Sequence, residues 1–492
     1  MLISAIKRAS VTAAAALWLT SCSGGAAPAS NAPAPSQSAP ASAPQPSASS
    51  PVAAAGAPGS SGIQTSAGAS PAAGIQTSAS SAAQASASQV GAPAAAGGPI
   101  KIGILGGLTG SFAPLGKDHE DGFNLYLAGI NSTAAGRKIE AIFADEGQAD
   151  VGVTKAKELV EQEHVNALMG ITSSAVCFGV AGYVKQAQVP LIISNNCGVP
   201  NLLVQVNSPY ITRITYTSQG TGPLADWAIK QNLLKLNLIS ADYVAGYATA
   251  DSFAWAYVRR GGSIVQEQYP PLGTTDFGPY LTQVNKAADA NVVFLVGTDA
   301  LRFGQQYGDY LDPAKMKMLD ITTQILGGSN LDQLKDKASG MLASALYTPA
   351  YDSPANTKFL KAWNDKYPGR SPSFDAAQGW SSAQVLEAAI KRVNGNVEDK
   401  QKFLEAIYAT DVATPRGPIK LDSTHDAITS TFIVQIVKGA TGVQPKVIAT
   451  YDDVPRLYDG VTEAQLEHFP SGKLKGKWVG MTKDQALALG NA

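Results

Sequence analysis

The chain has 492 residues, and its 37 lysines and arginines almost balance its 38 aspartates and glutamates, which gives a formal net charge of −1 at pH 7. Binding to nucleic acid requires a basic face, and this balance gives no sign of one. The same balance gives no sign of a patch for acidic lipids. We therefore expect no nucleic acid among the partners of this protein.

Residues 1–22 have the pattern of a targeting segment. Lys7 and Arg8 supply positive charge, and the apolar run at 11–19 is too short to span a bilayer as a mature helix. The run ends in Leu-Thr-Ser-Cys, which resembles a bacterial lipobox whose cysteine, here Cys22, is lipidated and becomes the mature N-terminus. An ordinary secretory signal with an incidental cysteine is the alternative. We expect a lipoprotein signal peptide and a mature protein in the cell envelope, anchored by lipid to a membrane outside the cytoplasm.

Residues 23–98 consist almost entirely of Ala, Ser, Pro and Gly, and they include a short repeat that begins at Gly62 and again at Gly74. Such a segment lacks the apolar surface that folding requires. We expect a disordered tether with an r.m.s. reach of about 50 Å.

From Pro99 onwards, predicted strands alternate with predicted helices, which indicates βαβ units around parallel sheets. The first series has strands at 99–107, 137–144, 165–170, 190–193 and 210–216, with helices at 117–130, 151–163 and after Ser174. The second has strands at 235–240, 263–269, 291–296, 317–321 and 342–348, with helices at 223–231, 249–259, 276–288 and 302–311. Helices at 374–393 and 402–409 and antiparallel strands at 417–421 and 430–437 follow, and the last forty or so residues are weakly patterned.

The roughly 390 residues after the tether are too many for one compact core, so we expect two α/β lobes. A cleft between two lobes is the usual place for a small-molecule site.

Two neighbouring predicted strands end in small polar side chains: Thr172, Ser173 and Ser174 after the first, and Ser194, Asn195 and Asn196 after the second. Ligands of open α/β sheets bind beyond such strand ends. Hydroxyls, amides and backbone N–H groups at a helix start suit a small anion such as a carboxylate. The alternative is that Ser173 and Ser174 only cap the following helix.

Cys177 and Cys197 lie 20 positions apart in these two strand-end loops. An exported protein can form disulfides, and we expect a bridge that stabilises the fold by about 3 kcal/mol. Two buried free thiols are the alternative.

No catalytic, cofactor or metal motif stands out. The four histidines, His119, His164, His425 and His468, are scattered, and HExxH, GxSxG and Cys/His metal spacings are absent from the sequence. The stretch from Gly110 to Asp118 departs from a phosphate loop in its spacing and in its lack of a Ser or Thr after the Lys. We expect no enzymatic activity, no cofactor and no metal site.

Several motifs in order carry a family resemblance: Leu-Thr-Gly after the first strand, Gly-Ile-Thr-Ser-Ser at 170–174, Pro-Leu-Ile-Ile-Ser at 190–194, Gly-Thr-Asp-Ala-Leu-Arg-Phe at 297–303 and Pro-Arg-Gly-Pro at 415–418. With these motifs, residues 99–439 resemble the leucine/isoleucine/valine-type solute-binding proteins of ABC importers. The resemblance implies the type I periplasmic binding fold, in which two Rossmann-like α/β lobes with parallel central sheets are joined by three crossing strands.

The resemblance implies crossings near Thr217, Tyr347 and Thr414. Lobe 1 would then comprise 99–216 and 348–414, and lobe 2 would comprise 217–347 and 415–450. Residues 451–492 would form a C-terminal extension.

The resemblance also maps a ligand site. It implies that Ser173, Ser174 and Ser194 hold the ligand's carboxylate, that Asn195 and Asn196 add amide contacts, and that Leu115 touches the apolar part of the ligand. From lobe 2 we expect the residues at three strand ends to approach the ligand, namely Tyr243, Tyr247, Thr298 and Asp299. For the two tyrosines, packing at the edge of the lobe is the alternative.

One departure bears on the ligand. Amino-acid binders of this type commonly place a Glu after the strand at 317–321 to meet the ligand's ammonium group, and this chain has Asp320, Thr322 and Thr323 there. A buried ammonium without a carboxylate partner is costly. The segments around Phe277, at Arg302 and Phe303, and at 415–418 resemble relatives that take up aromatic or other hydrophobic acids.

We therefore expect the extracytoplasmic solute-binding component of an ABC importer. It would capture a small hydrophobic carboxylate (a branched-chain or other amino acid, or an aromatic acid), act as a monomer and deliver the ligand to a membrane permease. A sensory module of the same fold is the alternative, and an envelope enzyme is a third reading.

Overall fold

A computed structural model describes residues 97–216, 220–440, 442–467 and 474–489. The expected signal peptide, the lipidation site Cys22, the expected crossing at Thr217 and all but the last two residues of the expected tether lie outside these ranges, so they stay predictions. Within the ranges, no helix combines the length and the apolar character that crossing a membrane would require.

The first sheet is formed by residues 100–213. Its strands are β1 (Ile100–Gly106), β2 (Thr133–Ala134), β3 (Arg137–Asp145), β4 (Ala167–Gly170), β5 (Leu191–Ile193) and β6 (Ile211–Arg213). Its helices are α1 (Ala113–Gly129), α2 (Ala149–Glu161), α3 (Ser174–Ala187) and α4 (Leu202–Val206), and a short 3-10 helix (Gly110–Phe112) precedes α1. The strand order is β2-β3-β1-β4-β5-β6, and only the β2–β3 pair is antiparallel.

The second sheet begins after residue 220. Its strands are β7 (Lys235–Ser240), β8 (Ser263–Gln268), β9 (Ala290–Phe294), β10 (Lys317–Asp320), β11 (Leu342–Ala345), β12 (Asp411–Thr414), β13 (Gly417–Leu421), β14 (Ala427–Gly439) and β15 (Gly442–Val454). Five of them are parallel in the order β8-β7-β9-β10-β11, and β14 adds to β11 antiparallel, with β12, β13 and β15 beyond it.

The remaining helices fall into three groups along the chain. Those among the strands of the second sheet are α5 (Thr221–Lys230), α6 (Val244–Val258), α7 (Gly278–Thr282), α8 (Gly297–Tyr310) and α9 (Gly328–Leu334). The next are α10 (Pro354–Lys366), α11 (Phe374–Arg392) and α12 (Lys400–Tyr408), and the last are α13 (Glu463–Glu467) and α14 (Lys483–Ala488). Two further 3-10 helices span Lys335–Ala338 and Tyr458–Gly460.

The central strands are apolar because both of their faces are covered. Every residue of β4 and of β9 is buried, which is the burial expected of parallel strands between two layers of helices. Two mainly parallel sheets with helices confirm the predicted α/β fold of two lobes.

The chain returns to the first lobe after β11. Phe359, Trp363 and Trp380, on α10 and α11, pack into the same core as β1. Ile419 belongs to that core as well, whereas Phe432 packs with strands of the second sheet. The crossing expected near Thr414 stays a prediction.

Two helices differ from the sequence prediction. The loop expected at 241–247 is partly helical, because α6 already begins at Val244. The helix expected at 276–288 is only α7. Past its end, the side-chain oxygen of Asn285 accepts the backbone N–H of Ala287, a local bond that competes with the helical ladder.

The weakly patterned C-terminal residues are built onto the second lobe. Trp478 is fully buried, and its Nε1–H donates to Asp251 of α6 at 2.7 Å. The Nε1–H of Trp255, also on α6, donates to the carbonyl of Ala486 at 2.8 Å. Glu267, on β8, accepts the backbone N–H of Trp478 at 2.7 Å. The segment 474–489 therefore covers α6.

We expect Trp478→Ala to lower the free energy of unfolding by about 3–5 kcal/mol, the range for truncating a buried Trp or Phe. The matched control is Val479→Ala, at a neighbouring side chain that is 50% exposed and should change stability little. Urea unfolding followed by far-UV circular dichroism measures the stability of both variants. Equal midpoints for the two variants would contradict this packing.

Candidate functional site

The carboxyl ends of β1, β4 and β5 lie side by side. The register pairs Leu105 with Gly170 and Gly170 with Ile193. Gly170 has a φ of 97°, and a Cβ there would lie 2.1 Å from the carbonyl oxygen of Leu105, so only glycine fits. The hydroxyl of Ser194 accepts the N–H of Gly170 at 3.0 Å. The parallel register thus brings the two polar strand ends together, while Ser194 itself bonds to the backbone of the sheet.

Two serines stand where β4 passes into α3. Ser173 occupies the cap position of the helix, yet its side chain makes no capping bond. Ser174 is the first helical residue and is 1% exposed, and among the described residues its hydroxyl has no hydrogen-bond partner. A buried hydroxyl without a partner costs free energy, and neither serine side chain makes the bond that the capping alternative requires.

A buried carboxylate that the sequence did not single out lies against this turn. Glu146, just after β3, accepts the backbone N–H of Thr172 at 2.9 Å and that of Ser173 at 2.6 Å. Burial raises the pKa of Glu146 to about 7, and the two hydrogen bonds oppose that rise. The N–H of Ser173, which was expected to help hold the ligand, is therefore already bonded.

The two asparagines after β5 form a chain of hydrogen bonds. Asn195 donates to the hydroxyl of Thr172 at 3.1 Å, and Asn196 donates to Asn195 at 2.8 Å and to Asp375 of α11 at 2.5 Å. Asp375 also accepts a bond of 3.3 Å from the side chain of Gln324. Burial raises the pKa of Asp375 to about 7. Because Gln324 follows β10, this chain joins the first lobe to the second.

The lobes face each other across a cavity of about 390 Å³. Its lining includes Ser173 and Phe112 of the first lobe and Tyr243 and Leu272 of the second. The rings of Phe112 and Tyr243 lie 5.9 Å apart. Tyr243 therefore lies in an aromatic pair that spans the cleft, and its contact with a ligand stays a prediction.

The lobes also touch directly beside Leu115. A Cβ on Gly297, the first residue of α8, would lie 1.8 Å from the carbonyl oxygen of Ser111 and 3.6 Å from Leu115. Leu115 is buried and lines a smaller interlobe cavity of about 30 Å³ together with Gly297 and Asp375. Leu115 therefore lies where the lobes meet, and its expected contact with the apolar part of the ligand stays a prediction.

The other residues expected from the second lobe bond within that lobe. The hydroxyl of Tyr247 donates to Asp242, and Lys475 lies 5.0 Å from the centre of its ring. Asp299 accepts the N–H of Gly273 at 2.7 Å and the hydroxyl of Thr298 at 3.3 Å. The contacts of Tyr247 are those of the alternative in which it packs at the edge of the lobe. The bonds of Asp299 connect it to Thr298 and to the loop at Gly273.

The disulfide between Cys177 and Cys197 is present, as expected. Both residues are fully buried, and the bridge ties α3 to the loop after β5. In the ranges that the structure describes, no cluster of three or more His, Cys, Asp or Glu side chains could hold a metal ion.

Comparisons with known proteins agree on one family. The sequence profile of the periplasmic binding protein family matches residues 99–441. The Leu/Ile/Val-binding protein homolog 6 of Brucella suis biovar 1 is 27% identical over 358 residues, which cover 72% of this chain and 91% of that protein.

Two solved structures of solute-binding proteins of ABC transporters are also similar. One, from Rhodopseudomonas palustris BisB5 in complex with 3,4-dihydroxybenzoic acid, has 28% identity and a TM-score of 0.68, covering 72% of this chain and 98% of that one. Another from R. palustris, in complex with 4-hydroxybenzoate, has 26% identity and a TM-score of 0.67, covering 73% and 98%.

The raised pKa values predict how stability changes with pH. The pKa of Glu146 is about 7 in the folded protein against an ordinary value of 4.5, and that of Asp375 is about 7 against 3.8. Between these values the folded protein holds protons that the unfolded chain releases, so these groups make the free energy of unfolding fall as pH rises towards about 7.

Burial lowers the pKa of His119 to about 4, so this group makes the free energy of unfolding rise with pH. The effect of each carboxyl group is therefore measured as a difference between its variant and the wild type. We expect urea unfolding between pH 5 and pH 8 to show a smaller fall for Glu146→Gln and for Asp375→Asn than for the wild type. Parallel pH profiles for all three proteins would show that neither group titrates near neutrality.

Proposed function

We propose that this chain, which belongs to the periplasmic binding protein family and is a substrate-binding protein of an ABC transporter, captures a small aromatic carboxylate between its lobes. The observation that carries the proposal is the buried, unpartnered hydroxyl of Ser174 at the start of α3, close in sequence to Ser173 in the wall of a cavity that Phe112 and Tyr243 also line. A helix start favours negative charge, and aromatic side chains favour a flat apolar ring.

The carboxylates of the second lobe give little support for an α-amino acid. Asp299 accepts the N–H of Gly273, and Asp320 accepts the N–H groups of Ile325 and Leu326 at 2.8 and 3.0 Å. A ligand ammonium buried near them would have to compete with these bonds.

The ligands in the two R. palustris structures support an aromatic acid, because both proteins hold hydroxylated benzoates. The name of the Brucella relative keeps a branched-chain amino acid as the second candidate. Delivery to a membrane permease follows the role of the family, and anchoring of the protein outside the cytoplasm through Cys22 completes the proposal.

Isothermal titration calorimetry on the purified mature protein tests the ligand class. We expect benzoate, 4-hydroxybenzoate or 3,4-dihydroxybenzoate to bind at least tenfold more tightly than leucine, isoleucine or valine. The bound acid at one hundred times its Kd should add about 2.7 kcal/mol to the free energy of unfolding. Binding of leucine without any binding of the aromatic acids would refute the aromatic assignment.

Substitution of the serines tests the carboxylate contact. A hydrogen bond to a charged group contributes about 1.5–3 kcal/mol, so Ser174→Ala and Ser173→Ala should each weaken binding of the acid about tenfold or more. The stability of the ligand-free protein should hold or rise in Ser174→Ala, because the substitution removes a buried hydroxyl without a partner.

The matched control is Ser194→Ala, because the hydroxyl of Ser194 bonds to the backbone of Gly170. It should lower the melting temperature and leave the Kd within about threefold of the wild type. Unchanged affinity in both Ser173→Ala and Ser174→Ala would place the carboxylate elsewhere.

A further inference from the structure

Among the residues that the structure describes, three arginines are almost completely buried: Arg213, Arg416 and Arg456. Arg213 and Arg456 share Asp426, with N–O distances of 2.5 and 3.0 Å. Arg416 has no Asp or Glu within ion-pair distance among the residues that the structure describes. The protein thus pairs two of its buried guanidinium groups and leaves the charge of the third uncompensated.

Arg416 lies in the turn between β12 and β13 and reaches into the hinge. Its Nε–H donates to the carbonyl of Leu346 and its Nη1–H donates to that of Ile214, both at 3.4 Å. Nη1 also donates to the side-chain oxygen of Gln378. Leu346 follows β11 of the second sheet and Ile214 follows β6 of the first, so the guanidinium bonds to the backbone of both lobes.

One edge of this guanidinium is free. Within the described ranges Nη2 has no hydrogen-bond partner. The central carbon of the guanidinium lies 5.1 Å from the ring of Phe374, and Phe374 lines the smaller interlobe cavity with Leu115 and Gly297. A single aromatic ring therefore lies between the charge of Arg416 and the smaller interlobe cavity.

A buried charge without a counter-charge is unfavourable unless something compensates it. Burial alone lowers the pKa of Arg416 to about 9, so the side chain stays charged at neutral pH. Asp375, next to Phe374 in the chain, makes no ion pair with Arg416 among the described residues, and its two oxygens accept bonds from Asn196 and Gln324 instead. Backbone carbonyls offer only partial compensation.

We propose that Arg416 makes the cleft selective for anions, with the negative charge of the bound ligand acting as the counter-charge that the protein itself does not supply. This inference rests on the proposed function and extends it, because it assigns charge selection to a hinge residue in addition to the serines at the start of α3. In a partly buried site, charges interact strongly enough over several ångströms to change affinity tenfold.

The test compares an acid with its neutral amide, benzoate with benzamide, by calorimetry on the wild type and on Arg416→Gln. Removal of the charge should weaken benzoate binding at least tenfold and leave benzamide binding within about twofold. The salt concentration is held fixed because ionic strength screens such interactions.

The matched control is Arg137→Gln. Arg137 is also buried, also donates to backbone carbonyls, those of Gly98 and Gly395, and is paired with Glu398. It lies at the amino end of β3, opposite the strand ends that form the site. Its substitution should cost stability without changing the ratio of the benzoate and benzamide affinities.

If Arg416→Gln weakens the binding of benzoate and benzamide equally, the inference is overturned and Arg416 has only a structural role in the hinge. If that variant does not fold, Arg416→Lys keeps the charge without the planar fork, and it should keep the wild-type preference for the acid. A folded lysine variant without that preference would also overturn the inference.

Failure of the proposed ligand class is distinguishable from failure of this inference. If the wild type binds no aromatic acid, the proposed ligand is wrong, and the comparison is repeated with 4-methylpentanoate and its amide. Loss of discrimination in Arg416→Gln for that pair would support the role of Arg416, and unchanged discrimination would refute it.

Discussion

The site depends on two hydrogen bonds in which the carboxylate of Glu146 accepts the backbone N–H groups of Thr172 and Ser173. Here β4 ends and α3 begins, and a carboxylate that follows β3, on the far side of β1 in the sheet, satisfies N–H groups that the helix cannot satisfy itself. With the turn fixed, the two serines have one defined position relative to the cleft. The protein already places one carboxyl group at this helix start, and the ligand's carboxylate would be the second.

Besides the Phe112–Tyr243 pair and Leu115, the seam between the lobes contains contacts of small and polar groups. Asp332 of α9 accepts the N–H and the hydroxyl of Ser371 at 2.9 and 2.7 Å, and Gly328 lies so close to Ser373 that a Cβ would come within 2.6 Å of it. Gln324 and Asp375 add a further bond across the seam. Short polar contacts of this kind can open and reform without exposing a large apolar surface, which suits domains that close around a ligand.

Much of the fold was readable in the sequence because the signals are local. The apolar runs of β4 and β9, the alternation of strands with helices, and the polar strand ends at 170–174 and 194–196 each appear within a few residues. The bridge between Cys177 and Cys197 was predicted because both follow the ends of neighbouring strands, although the structure places Cys177 in α3 and not in a loop. The contacts that define the site are different in kind. Asn196 meets Asp375 across 179 positions and Tyr247 meets Lys475 across 228, and no periodicity or motif records such pairs. The sequence contains Glu146 and Arg416 but does not indicate that they are buried. Only the structure shows their burial and the groups that surround them.

Residues 474–489 cover α6, so these two segments depend on each other for their burial. The family profile ends at residue 441, and the covering segment lies beyond it. Nearly every side chain of α6 from Ala250 to Val258 is buried, so this helix has no polar outer face of the kind that a surface helix presents to water. The helix and its cover therefore depend on each other, and a truncated chain that keeps α6 without residues 474–489 would expose Trp255 to solvent and leave the carboxylate of Asp251 without its bond to Trp478.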